Sequence, residues 1–349
     1  MEHGSYVFGP EIHEMEARLA EYAGAKHCLS CGSGTDALLI PLMAMGIGPG
    51  DAVFCPSFTF VATAEVVSLA GATPVFVDID ERTFNMSASS LEKAIEDVLS
   101  KGELTPKVVM PVDLFGQSAD YDEIEAICQK YGLQLIEDLA QGLGGSYKGK
   151  RNGSFGKVGG TSFYPAKPLG AYGDAGAIFT SDDELCDTMK SIRVHGMGKE
   201  RYDNVRIGLN GRMDSIQAAV ILAKMEIFEE ELETRNRVAE KYSQHLNGSS
   251  VKTPLVKEGY YSAWAQYCVL AENEQHRTEL MNGLKEKGIP SVIYYPIPLH
   301  LQTAYKSLGY SENSLEVTES TSKKIFALPF HPYIKDEEIA KVCDTIKSI

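Results

Sequence analysis

The chain has 349 residues, 44% of them hydrophobic, and a formal net charge of −15 at pH 7. This length allows a large core and about two domains, and the acidity argues against a nucleic-acid-binding surface. No apolar run reaches the roughly 18 residues of a membrane span, and the start of the chain lacks the basic and apolar regions of a signal peptide. Seven scattered cysteines are typical of reduced thiols, which favours a cytoplasmic protein.

Strand-like and helix-like stretches alternate through the first two thirds of the chain. Stretches such as 59–69 and 121–131 predict helices, and short apolar runs between the helical stretches predict strands. This order predicts right-handed βαβ units and a mostly parallel sheet, which is an α/β fold. The predicted strands cover residues 52–55, 74–79, 107–112, 133–136 and, later in the chain, 176–180.

A Gly/Ser turn is the first feature that indicates a ligand. Ser33, Gly34 and Thr35 lead into an apolar helix in the order Cys-Gly-Ser-Gly-Thr-Asp-Ala-Leu. Backbone N–H groups at such a helix start bind phosphate, and glycine lets the anion approach closely. The turn predicts a phosphate site, with Ser162 as a further hydroxyl donor, although the same residues also suit a plain helix start.

An acidic residue, Asp138, follows the apolar run at 133–136. The run predicts a buried strand, so Asp138 should lie at the strand's C-terminal end, where parallel α/β sheets bind their ligands. The alternative is a carboxylate that caps the next helix.

Lys167 lies in a segment, 160–176, that is rich in glycine and aromatic residues. A lysine shielded from water loses proton affinity and becomes a nucleophilic amine, which forms Schiff bases with aldehydes. Pyridoxal phosphate (PLP) is such an aldehyde, and it also needs a carboxylate beside its ring nitrogen. Lys167, Asp138 and the Gly/Ser turn therefore predict together a PLP site. The backbone near the lysine is fixed by two prolines, and ring surface comes from two tyrosines: Pro165, Pro168, Tyr164 and Tyr172.

A helix is predicted to begin near Asp214, a suitable N-cap residue. Its apolar positions recur with helical spacing, and the acidic run at 229–231 reads as its solvated continuation. We divide the chain into a large α/β domain at 1–229 and a smaller α+β domain at 230–349. The apolar positions of this helix are Ile216, Ala219, Val220, Ala223 and Ile227.

With these motifs the chain resembles the DegT/DnrJ/EryC1/StrS sugar aminotransferases, PLP enzymes of fold type I that act on keto-sugar nucleotides. The resemblance covers nearly the whole chain. It is nearest to the branch that aminates the C3 ketone of UDP-2-acetamido-2-deoxy-3-oxo-glucuronate with glutamate as donor. The matching motifs are Cys-Gly-Ser-Gly-Thr-Asp-Ala-Leu from residue 31, Glu-Asp-Leu-Ala-Gln from 137, Ser-Phe-Tyr-Pro-Ala-Lys from 162 and Asn-Gly-Arg-Met-Asp from 210.

The resemblance implies roles for further residues around the cofactor. Gln141 approaches the phenolic oxygen of PLP, and Phe60 stacks over its ring. The alternative for Phe60 is an ordinary core phenylalanine, which would have the same sequence pattern. Asn210 crosses a homodimer interface to the partner's phosphate, so that the two active sites are shared. The amino group passes through pyridoxamine phosphate (PMP).

Four residues are candidates for contacts with the substrate: Arg212, Tyr295, His300 and His331. Arg212 could offer a fork to a carboxylate or brace the start of a helix. Tyr295 borders the sugar-nucleotide pocket or packs in the core. The histidines lack metal-ligand spacing, and Cys28 and Cys31 form a C-x-x-C without a partner pair, so we predict no metal site.

The sequence therefore predicts a glutamate-dependent aminotransferase for a UDP-linked keto sugar, in surface-polysaccharide biosynthesis. A 3-keto- or 4-keto-6-deoxyhexose nucleotide is the alternative substrate. A PLP-dependent sugar dehydratase would have histidine in place of Lys167. A non-enzymatic PLP-binding module would need an added DNA-binding segment, and a Rossmann oxidoreductase would need a G-x-G-x-x-G after its first strand.

Overall fold

The computed structural model describes residues 2–200 and 202–349, in which helices and strands alternate. Several helices begin at a side chain that accepts a backbone N–H, such as Ser33, Ser87 and Asp182. The helices are α1 Pro10–Ala23, α2 Gly34–Ala44, α3 Ala62–Leu69, α4 Ala88–Lys101, α5 Tyr121–Tyr131, α6 Asp183–Ile192, α7 Ser215–Met225, α8 Phe228–His245, α9 Glu274–Glu286, α10 Glu316–Lys324 and α11 Asp336–Lys347, with short 3-10 helices at Leu114–Gly116, Leu299–Leu301 and Thr303–Leu308. The strands are β1 His27–Cys31, β2 Asp51–Pro56, β3 Thr73–Val77, β4 Thr105–Val109, β5 Gln134–Asp138, β6 Ser146–Tyr147, β7 Lys150–Arg151, β8 Val158–Ser162, β9 Gly176–Thr180, β10 Tyr260–Tyr261, β11 Tyr267–Leu270 and β12 Ile325–Leu328.

A seven-stranded sheet forms the centre of the large domain, in the order β1-β9-β8-β5-β4-β2-β3. β9 runs antiparallel to both of its neighbours, and the other neighbouring pairs are parallel. The register pairs Asp138 of β5 with Gly160 of β8. The predicted α/β fold with a mostly parallel sheet is confirmed, and it brings the ends of β5 and β8 to one edge.

The C-terminal part of the chain has a hydrophobic cluster of its own, drawn from residues between Val238 and Ile346. It includes residues of the antiparallel pair β11–β12 and of the helices α8, α9 and α11, which gives an α+β arrangement. Phe228 and Leu232 of α8 pack instead in a cluster of the large domain. The boundary near residue 230 stays a proposal, and this division of α8 supports it.

The helix predicted from Asp214 is shorter in the structure. Helix α7 ends at Met225, and the acidic run at 229–231, predicted as its continuation, occupies the first turn of a new helix, α8, where negative charge favours the helix dipole. The apolar stripe of α7 also faces outward, with Ile216 51% exposed. Periodicity shows that one face of a helix is apolar, but not what covers that face.

The predicted helix at 59–69 begins three residues later, at Ala62. The residues between β2 and α3 form a bend that carries Ser57 and Phe60. Within the described ranges, no helix is long and apolar enough to cross a bilayer.

Candidate active site

Asp138 is held in one orientation at the end of β5. It is 4% exposed, the hydroxyl of Thr63 donates to its Oδ2 at 2.8 Å, and the N–H of Ala140 donates to its Oδ1 at 3.2 Å. Burial raises its pKa, although these hydrogen bonds and the charge of Lys167 lower it in part. A carboxylate that is costly to ionise alone is stabilised by a cationic partner, such as a protonated pyridine.

Lys167 lies half-buried in the turn after β8, the strand next to β5. Its backbone N–H donates to the carbonyl of Tyr164 at 2.8 Å, which fixes the turn. Burial lowers the pKa of Lys167, and the charge of Asp138 raises it in part. The lowered pKa makes a neutral, nucleophilic amine more available than on an exposed lysine.

The Gly/Ser turn and the end of β8 lie against each other. A Cβ added to Gly34 would lie 2.6 Å from the Cβ of Ser162 and 3.1 Å from its Oγ. Ser33 caps α2 by accepting the N–H of Asp36 at 3.0 Å, and the N–H groups of Gly34 and Thr35 belong to the first turn, where no intrahelical acceptor exists. A small cradle of N–H groups and one hydroxyl results, which suits a phosphate.

Three predicted residues form one group. Phe60 is 55% exposed, so it is not an ordinary core residue, and its ring centre lies 6.4 Å from that of Tyr295. Gln141 Nε2 donates to the hydroxyl of Tyr295 at 3.0 Å, and the N–H of Phe115 donates to Gln141 Oε1 at 2.7 Å. Gln141 and Tyr295 therefore hold each other beside Phe60.

The segment with Asn210 and Arg212 is attached beside the Gly/Ser turn. The N–H of Gly211 donates to the carbonyl of Arg193 at 3.0 Å, and the N–H of Gly32 donates to the carbonyl of Gly211 at 3.0 Å. Asn210 is exposed and Arg212 is half-buried. Across the two described ranges, the Arg212 side chain has no hydrogen-bond or ion-pair partner, so the helix-bracing alternative finds no contact to support it.

The two candidate histidines lie in different settings. His300 is 1% exposed, and both of its ring nitrogens are engaged within the chain, by Ser57 and Glu319. His331 is exposed in the loop after β12, where its Nδ1 accepts the N–H of Tyr333 at 3.2 Å. The contacts of His300 do not support the predicted substrate role, whereas the setting of His331 leaves that role a prediction.

Thr63 is the residue that sequence reasoning missed. Its hydroxyl contacts both Asp138 and, at 3.2 Å, the hydroxyl of Thr59, four residues earlier in the bend before α3. Two threonines four residues apart in an otherwise apolar stretch were the available signal. In the described ranges no three His, Cys, Asp or Glu side chains are arranged to hold a metal ion.

The arrangement fits PLP in three respects. A buried carboxylate, Asp138, suits the ring nitrogen, the half-buried amine of Lys167 suits the aldehyde, and the cradle at Gly34 and Ser162 suits the phosphate. The N–H cradle is built by glycine where a side chain would fill the space. The roles of the individual residues stay predictions.

Comparisons with known proteins identify the family of the chain. The model of the DegT/DnrJ/EryC1/StrS aminotransferase family matches residues 1–347. The chain is 47% identical, over 98% of its length and 92% of the relative, to the UDP-2-acetamido-2-deoxy-3-oxo-D-glucuronate aminotransferase of Pseudomonas aeruginosa. A crystal structure of a family member from Brucella abortus matches with a TM-score of 0.95 at 52% identity, over 99% of this chain and 92% of that one.

A third protein bears on the cofactor. A Streptococcus pneumoniae protein described as a sugar aminotransferase, solved in its PMP-form, matches with a TM-score of 0.92 at 27% identity, over 99% of this chain and 93% of that one. The predicted family, enzyme class and cofactor are confirmed. The chain belongs to the DegT/DnrJ/EryC1/StrS family and is a PLP-dependent aminotransferase.

Proposed function

We propose that this enzyme moves the amino group of glutamate to the C3 ketone of UDP-2-acetamido-2-deoxy-3-oxo-glucuronate. The relative with 47% identity over nearly the whole chain carries the choice of sugar. The placement of Lys167 and Asp138 beside the ends of neighbouring strands supports the reaction type. Bound PLP supplies an electron sink for the carbon that carries the amino group.

The residues of the chain divide the remaining work. With PLP bound, the amine of Lys167 would be the group that takes the proton from the α-carbon of glutamate and gives it back in the next step, and it would move the proton in reverse in the second half-reaction. Asp138, oriented by Thr63, keeps the pyridine nitrogen protonated. Gly34, Thr35 and Ser162 hold the phosphate, so the ring stays in place while the proton moves.

We assign to Arg212 the binding of a carboxylate. This carboxylate is the uronate of the sugar, the α-carboxylate of glutamate, or both in turn. The guanidinium of Arg212 is half-buried and has no partner in the described chain, which is unusual for a charged group. Its forked N–H groups match the two oxygens of a carboxylate. His331 and Tyr295 complete the proposed sugar side of the pocket.

The working unit we propose is a homodimer with shared sites. The outward stripe of α7 is apolar and continues into Tyr172, which is 76% exposed. Exposed apolar area of this kind is typical of an interface between subunits. Asn210 is exposed beside the Gly/Ser turn, in a position to reach a partner chain. The seven free cysteines support a cytoplasmic location, which stays a prediction.

A half-reaction screen tests the substrate. The enzyme is converted to its PMP form with glutamate, and each keto-sugar nucleotide is then tested for its ability to restore the yellow absorption of the PLP form. We expect the UDP-linked 3-oxo-glucuronate to restore it fastest, ahead of a neutral 3-keto sugar and a 4-keto-6-deoxyhexose nucleotide. If either neutral sugar restored the yellow form faster, the result would contradict the uronate and favour the alternative substrate.

A mixing experiment tests the dimer. Lys167→Ala and Asn210→Asp each inactivate a homodimer, but a mixed dimer has one site with both changes and one with neither. With random assortment, about a quarter of the wild-type sites should return. Asn247→Asp, which adds the same charge in an exposed turn, is the control and should stay active alone. A verified mixed dimer without activity would exclude the shared site.

A further inference from the structure

A buried triad of Ser57, His300 and Glu319 joins the large domain to the C-terminal part of the chain. His300 Nδ1 lies 2.7 Å from Ser57 Oγ, and His300 Nε2 lies 3.2 Å from Glu319 Oε1. The backbone N–H of His300 also donates to Ser57 Oγ, at 3.2 Å. The three side chains are 0%, 1% and 8% exposed in that order.

These contacts allow one arrangement of protons. Glu319 accepts the N–H groups of Asn313 at 2.8 Å and Leu315 at 3.2 Å, as an ionised carboxylate would. His300 Nε2 must then carry the proton that it donates to Glu319, and because burial lowers the pKa of His300 and favours the neutral ring, Nδ1 is the acceptor. Ser57 donates its hydroxyl proton to Nδ1 and accepts the backbone N–H. Every polar group of the triad is thereby satisfied.

The order serine, histidine, carboxylate is that of a hydrolase triad, but burial excludes that chemistry here. A nucleophilic serine must reach a substrate carbonyl, and Ser57 has no exposed surface. Its hydroxyl is a donor to His300 and an acceptor from the same residue. The triad therefore holds the segments that carry its residues in place and does not react with a substrate.

Two cofactor-facing segments meet at this triad. Ser57 lies in the bend that carries Phe60, three residues before it, and α3 with Thr63 follows. His300 lies on the segment that carries Tyr295, the partner of Gln141. The N–H of Leu299 donates to the carbonyl of Ser57 at 2.9 Å and strengthens the same junction.

The far end of the triad is fixed as well. Glu319 belongs to α10, and Asp78 at the end of β3 accepts the first N–H groups of that helix, from Val317 at 3.0 Å and Thr318 at 2.8 Å. The triad thus lies between two anchored elements. Movement of α10 would move His300, and with it the bend before Phe60.

We propose that Ser57, His300 and Glu319 are positioning residues that fix Phe60 and Tyr295 around the PLP ring. The inference rests on the predicted stacking of Phe60 over the cofactor. It gives His300 a role through Ser57, in place of the substrate contact that its loop context had indicated.

Two substitutions separate the two hydrogen bonds of the imidazole. In His300→Asn the side-chain oxygen takes the place of Nδ1 and keeps the bond to Ser57. In His300→Gln the amide nitrogen takes the place of Nε2 and keeps the bond to Glu319, while the Ser57 bond is lost. Ser57→Ala removes the same bond from the other side. Tyr310→Phe is the matched control, because it removes a nearby hydrogen bond, to the N–H of Phe76, without touching Ser57.

The readouts are the visible circular dichroism per bound PLP and the dissociation constant of PMP, which forms no covalent link. We expect His300→Gln and Ser57→Ala to reduce the dichroism and to raise the constant roughly 2- to 10-fold, the effect of one lost hydrogen bond. Tyr310→Phe should keep both near wild type, even if its melting temperature falls, and His300→Asn, which keeps the Ser57 bond but loses the Glu319 bond, should give values between those of wild type and His300→Gln.

Two results would overturn the proposal, and they are distinguishable. If Phe60→Ala changes neither readout, the stacking on which the inference rests is wrong. If Phe60→Ala changes both readouts but His300→Gln and Ser57→Ala alter only the melting temperature, the triad stabilises the fold without positioning the ring.

Discussion

Replacing Gly34 by alanine tests the phosphate cradle directly. The added Cβ would lie 2.6 Å from the Cβ of Ser162, about 0.8 Å short of an ordinary contact. Ser162 cannot yield easily, because it ends a strand that pairs with β5 and β9. The start of α2 must therefore move away from Ser162, and the first N–H groups of the helix move with it.

The size of the effect follows from these two consequences. Overpacking a rigid site costs roughly 1–3 kcal/mol of unfolding free energy. A hydrogen bond to a charged group contributes roughly 1.5–3 kcal/mol. Loss of one such bond to the phosphate should raise the dissociation constant of PMP about 10- to 100-fold.

Titration of the apoenzyme with PMP, followed by fluorescence, measures this constant, and thermal unfolding measures stability. Gly48→Ala is the matched control, because its added Cβ would meet only the carbonyl of Ala70, at 3.7 Å. The double variant Gly34→Ala/Ser162→Gly should recover part of the stability but not PMP affinity, since the shortest contact is relieved while the hydroxyl is lost. Wild-type PMP affinity in Gly34→Ala would refute the assigned cradle.

Four further predictions concern single groups. Lys167→Ala should still bind PMP but lose single-turnover deamination of glutamate by at least roughly 10²–10⁴-fold, the worth of a positioned proton transfer; near-normal turnover would remove Lys167 from the chemistry. Asp138→Asn should slow the same step with only a modest loss of PMP affinity, because an amide cannot stabilise a protonated pyridine; an unchanged single-turnover rate would contradict this role. Arg212→Lys should reduce kcat/KM more for a uronate sugar than for a neutral analogue, and equal losses would count against a contact with the uronate. Burial raises the pKa of Asp113 to about 7, and the neighbouring Glu137, whose pKa burial also raises, interacts with it. The cost of ionising Asp113 is therefore absent in acid and grows as pH rises from about 4 toward the raised folded pKa, by up to about 1.4 kcal/mol per pH unit. Asp113→Asn should flatten urea-unfolding stability over that window, and an unchanged slope would contradict the assignment.

Local pattern was enough to predict the α/β fold and the positions of Asp138 and Lys167 beside neighbouring strand ends. Asp138 was predictable because an apolar run that ends in a carboxylate has one natural place in a parallel sheet. Lys167 was predictable because glycines, prolines and aromatic residues around a lysine do not suit a solvated surface. Both inferences used residues within one segment of the chain.

Contacts between distant segments could not be predicted in the same way. Ser57 and His300 are 243 residues apart, and nothing in the sequence near His300 distinguishes a buried histidine from one that lines a pocket. The outward orientation of the apolar stripe of α7 could not be predicted, because the helical period is the same whichever element covers the stripe. Thr63 was overlooked since a hydroxyl in an apolar helix start has several possible partners.

The two hydrogen bonds of Gly211 have a consequence for how cofactor is taken up. One joins the Asn210 segment to Gly32, next to the chain's own phosphate cradle, and the other joins it to Arg193. In the proposed dimer, Asn210 serves the neighbouring cradle, so ordering of one cradle by phosphate also orders the residue that the other site needs. Occupancy of the two sites should then be linked. We expect PLP to saturate the dimer with a Hill coefficient above one, and substitutions that loosen the Gly32–Gly211 pair to return the curve to that of independent sites.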